Sequence, residues 1–69
     1  MTELVYKFKG HSDRDSCLSF LKKSGFWNDI ELEPLSDTSK KIIITIDSDE
    51  SEDFLIKAKY KGFRFYEET

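Results

Sequence analysis

The chain has 69 residues, with 11 basic and 14 acidic side chains giving a formal net charge of −3, and a single cysteine. A chain of this length forms one domain that buries roughly 60% of its unfolded surface, which leaves little apolar material for the walls of a separate catalytic cleft. One cysteine excludes an internal disulfide and points to a reduced, cytoplasmic setting. The acidic balance argues against a phosphate-backbone ligand, and no apolar run is long enough for a signal peptide or a bilayer span.

Leu4-Val5-Tyr6-Lys7-Phe8-Lys9 alternates residue by residue and predicts a half-buried strand, with Leu4, Tyr6 and Phe8 on one face and Val5, Lys7 and Lys9 on the other. Gly10 ends it. Ser12 then predicts a helix N-cap, and Asp13 and Asp15 suit the positive end of the helix dipole. Cys17, Leu18, Phe20 and Leu21 form an apolar stripe at helical spacing, Lys22 and Lys23 suit the last turn, and Gly25 predicts the stop. Residues 29–33 alternate as a second strand closed by Pro34, and 36–39 read as a polar turn. Residues 41–47, β-branched almost throughout and apolar on both faces, predict a central strand. Ser48 predicts a second N-cap, followed by Asp49, Glu50, Glu52 and Asp53. Phe54, Leu55, Ala58 and the stem of Lys61 face inward, and Gly62 predicts the stop. Residues 63–66 then read as a last strand, with an acidic tail.

The order is strand, helix, strand, strand, helix, strand. Each half repeats a Ser-Asp helix start and a Gly-Phe exit: Ser12-Asp13 to Gly25-Phe26, and Ser48-Asp49 to Gly62-Phe63. This predicts an α+β, ferredoxin-like two-layer sandwich, an antiparallel four-stranded sheet with two helices on one face. Right-handed crossovers place the strands in the order 4-1-3-2.

Gly10 before the first helix, Gly25-Phe26 before the second strand, Ile42-Ile43-Ile44-Thr45-Ile46 as the third strand, and Gly62-Phe63 give the chain a pattern that resembles the heavy-metal-associated (HMA) domain of copper chaperones and metal-pumping ATPases. The resemblance covers nearly the whole chain and implies the same fold. In that family a Cys-x-x-Cys in the loop after the first strand carries the metal. Here those two positions are Asp13 and Ser16, and Cys17 follows one residue later.

Among candidate sites, the 10–17 stretch offers His11, Asp13 and Cys17, with Asp15 beside them, as ligands for a divergent metal-binding or chaperone-like function. Against this, a lone Cys in a helical stripe ordinarily acts as a small buried hydrophobe. Single-stranded RNA binding on the sheet is a further alternative. Tyr6 and Phe8 share the face of Leu4, however, and the third strand offers only Ile and Thr for base stacking. One His must serve every nucleophilic scheme, and phosphate cradles are missing, so the expectation is a non-catalytic protein without a cofactor. The open sheet face carries the leading expectation, protein binding by Lys7, Lys9, Glu31, Ile43, Thr45, Arg64 and Tyr66. Strand by strand, these residues predict a basic half, an apolar centre and an acidic edge. The 10–17 loop is the other expected contact. Another protein is the expected partner, such as a larger machine that this chain would regulate or inhibit. The oligomeric state is open. Trp27 is expected to close one end of the core.

Overall fold

The computed structural model describes residues 1–34, 38 and 40–68. Strand β1 is Thr2–Lys7, helix α1 His11–Lys23, strand β2 Ile30–Leu32, strand β3 Lys41–Ile46, helix α2 Ser48–Tyr60 and strand β4 Tyr66–Glu67, with a short 3-10 turn at Trp27–Asp29 before β2. The strands form one sheet in the order β2-β3-β1-β4, every neighbouring pair antiparallel. This is the ferredoxin-like α+β sandwich, with β1 and β3 central.

Alternation explains which side is covered. Leu4 and Tyr6 of β1 and Ile42, Ile44 and Ile46 of β3 join Cys17 and Leu21 of α1 and Phe54 and Ala58 of α2 in one buried cluster. Both helices therefore lie on the same side of the sheet. Phe54 is the hub, with its ring 5.9 Å from Phe20, 5.7 Å from Phe26 and 5.1 Å from Phe65. Trp27 packs against this cluster from the 3-10 turn.

The element ends differ from the sequence expectation in several places. Strand β1 runs over Thr2–Lys7 rather than 4–9, so Phe8 and Lys9 lie beyond it, the Phe8 N–H still donating to the Lys40 carbonyl at 3.0 Å. Ser12 is not a cap. Gly10 is the N-cap of α1, and Asp13 instead reaches back to accept the Lys9 backbone N–H at 3.0 Å and the Tyr6 phenol at 2.8 Å. Ser48 is likewise inside α2. Asp47 caps it, accepting the Asp49 N–H at 3.2 Å. Strand β2 loses Asp29 to the turn, where its N–H bonds the Phe26 carbonyl at 2.9 Å. The last strand does not run over 63–66. Phe63 closes α2, its N–H on the Ala58 carbonyl at 2.8 Å, and Phe65 turns into the core, so pairing begins only at Tyr66. Of the turn expected over 36–39, only Thr38 lies within the described residues, and it is in a turn.

Candidate functional site

The sheet face away from the helices is built by the residues that alternate with the core. Register arranges them in rows across the strands. Val5 pairs with Ile43 on one side and Tyr66 on the other, which gives an apolar central row. Val5 is only 1% exposed yet lies outside the core cluster, so its neighbours on this face seal it. At one end of the strands Lys7 pairs with Lys41. Lys7 and Lys9 also line a cleft of about 490 Å³ with Tyr6, Gly62, Arg64 and Tyr66. At the other end Glu3 pairs with Thr45, and Thr45 with Glu31. Glu68 donates its backbone N–H to the Glu3 carbonyl at 3.0 Å, extending this acidic row.

Basic, apolar and acidic groups are thus all present; β2 is the acidic edge, with Glu31 opposite Thr45 and Glu33 donating its N–H to the Ile43 carbonyl at 3.0 Å, while on β1 and β3 the charges also sort along the strands. The physical reason is register. Antiparallel pairing sets the C-terminal end of β1 against the N-terminal end of β3, so Lys7 meets Lys41 and the charges collect by row. Reading each strand separately brings out Lys7, Lys9, Glu31, Ile43, Thr45, Arg64 and Tyr66 but misses Glu3, Lys41 and Glu68. Extending the alternation by one step at the ends of β1 and β3 would have found the first two.

The cleft exists because β4 leaves β1 early. Phe65 is drawn inward against Tyr6, ring centroids 5.4 Å apart, and the 62–64 segment diverges from Lys7 and Lys9. Lys7 sits over the Tyr66 ring, Nζ 5.8 Å from its centroid, within range of a cation–π contact. Among the described residues the one ion pair is Arg14–Asp15 at 3.4 Å, so Lys7, Lys9, Lys41 and Arg64 have no carboxylate partner there. Like charges directly opposite on neighbouring strands repel, and Lys7 and Lys41 are so placed.

The 10–17 stretch is not a loop, because α1 begins at His11. His11 is exposed, while Asp13 is engaged by Tyr6 and Lys9. Cys17 is fully buried, and burial, with the nearby Asp13 charge, pushes its thiol up to about 12. A protonated, buried thiol is a poor metal ligand. Among the described residues no three His, Cys, Asp or Glu side chains gather where they could hold a metal ion. Tyr6, 9% exposed, belongs to the core; burial and the hydrogen bond to Asp13 push its phenol up to about 12. It is therefore no platform for a stacked base. No described helix is long and apolar enough to cross a membrane.

A scan against protein-family models, a search of curated proteins and a search of solved structures each find no match.

Proposed function

We propose that this chain is a small, non-catalytic protein-interaction module of a reduced, cytoplasmic compartment, which docks a protein through the open face of its sheet and thereby regulates a larger assembly. The observation that supports this reading is a basic row, without a carboxylate partner among the described residues, beside a half-covered apolar row. A surface of that kind orients a partner by charge and buries Ile43 and Tyr66 against it. The single cysteine supports the compartment.

Quantitative capture of partners by the immobilised chain tests the face. Ile43→Glu and Lys7→Glu are expected to reduce the captured fraction by at least about tenfold, the scale of one lost central contact. Ile56→Glu, at a 62% exposed position on the helix side, is expected to leave capture intact. Circular dichroism confirms that each variant folds. Capture that survives both face variants, or is lost with Ile56→Glu alone, overturns the assignment.

A further inference from the structure

We propose that the protein docked on the open face is a second copy of this chain, related to the first by a two-fold axis lying along the Tyr66–Val5–Ile43 row. This rests on the open face being the docking surface and names its occupant.

The argument is one of symmetry. An isologous interface needs a patch complementary to itself after a half-turn. Here the apolar row lies between a basic row and an acidic row. A half-turn about the apolar row brings the second copy face down, lays apolar on apolar, sets Glu33 at the β2 end of the row over its own equivalent, and exchanges the two charged rows. Each strand then lies over its own equivalent, run in the opposite direction. Along β1, Lys7 falls over the second copy's Glu3. Beyond the two ends of β4, Arg64 adds to the basic side, where it lines the cleft with Lys7 and Lys9, and Glu68 adds to the acidic side beside Glu3. Lys41 falls over the second copy's Thr45, diagonal to its Glu31. Two-fold symmetry doubles every such pair.

The charges favour this arrangement on energetic grounds as well. Within one chain Lys7 is set against Lys41 with no carboxylate beside them among the described residues. The acids Glu3 and Glu68 sit together at the other end, tied by a backbone hydrogen bond of 3.0 Å. Each row carries repulsion that the opposite row of a second copy relieves. Val5 is already sealed within its own face, so the central contact falls to Ile43 and Tyr66, the latter 39% exposed. The outer dimensions of the chain, 30 × 23 × 19 Å, limit this face to a small patch. The expected dimer is therefore weak and governed by charge, in the class of small interfaces.

Light scattering after size exclusion tests the proposal. The wild-type chain at about 100 μM is expected to run at twice its own mass near 50 mM salt and to dissociate near 500 mM, where screening reaches only a few ångströms. The double variants Lys7→Glu/Arg64→Glu and Glu3→Lys/Glu68→Lys are each expected to be monomeric. Mixed in equal amounts, they are expected to recover the dimer mass as a heterodimer, which also shows that both are folded. Glu52→Lys/Asp53→Lys on α2 makes the same change in net charge as the acidic-row variant and is expected to remain dimeric. A wild-type chain that stays monomeric at low salt overturns the proposal, yet leaves the capture experiment free to support a different partner. Loss of partner capture with the basic-row variant alone, while the acidic-row variant retains it, assigns the face to an acidic protein and also overturns self-docking.

Discussion

Glu50 is a carboxylate among carboxylates. It shares a surface groove with Asp29, Glu31 and Asp47, at the end of the molecule where β2 begins and β3 ends. Partial loss of water raises its pKa, and the charge and hydrogen bond of Asp29 raise it further, with Asp47 and Asp49 adding to the effect. The folded chain therefore holds this proton more tightly than the unfolded chain. The resulting stability is fully present below the ordinary value of 4.5 and is lost as pH rises through the folded value. Glu50→Gln is accordingly expected to raise the melting temperature at pH 7, with the gain shrinking as the pH is taken below that ordinary value. Parallel melts of the two proteins across this range check it, and an equal gain at every pH would contradict it. Single residues were legible in the sequence where one strong preference acts. Cys17 sits in an apolar stripe and is buried. Ser12 was not legible as an interior residue, because the group that displaces it from the cap position is Asp13, held by a phenol from another element.

Helix ends show how different local chemistry solves one problem. A helix leaves its last carbonyls without partners. In α2 the chain meets this with backbone alone: Gly62 takes φ +92, its N–H bonds the Lys59 carbonyl at 3.0 Å, and Phe63 bonds Ala58 at 2.8 Å. In α1 a side chain joins in. The Ser24 hydroxyl donates to the Leu21 carbonyl at 2.8 Å and accepts the Phe26 N–H at 3.1 Å, while Lys57 donates to the Ser24 carbonyl at 2.6 Å. Ser24 is buried, so Ser24→Ala leaves an amide without its partner, at a cost of about 1–2 kcal/mol. The melting temperature is expected to fall by roughly 5–15 °C, whereas Ser19→Ala, at an exposed position of the same helix, should change it little. Both glycine stops were legible, because Gly25 and Gly62 each occupy a left-handed position that other residues resist. The short length of β4 was not. Phe63 and Phe65 alternate as a strand would, but the demands of the helix end and the core claim them first.

For the whole molecule, topology followed from the order of elements, since crossover handedness leaves few arrangements. The rows on the open face did not, since a row is a property of two strands and their register. The core makes a sharper prediction. A chain of this size has about 3–10 kcal/mol of stability in all. Phe54 is fully buried and touches three other rings, so Phe54→Ala is expected to cost about 3–5 kcal/mol. That is a large share of the total. Near-ultraviolet circular dichroism and amide dispersion should show most of the chain unfolded at 37 °C, and a variant that retained a cooperative melt above 60 °C would show that the aromatic cluster is not the principal source of stability. The brevity of β4 has a consequence of its own. Arg64, Tyr66 and Glu68 hang from β1 through two paired residues and the Glu68 amide. This margin should fray open far more often than the centre, exchanging its amide hydrogen with solvent while Ile44 keeps its own. Anything that settles on the sheet must first still that fringe, so slowed deuterium uptake at Glu68 would register occupancy even when no change of shape accompanies it.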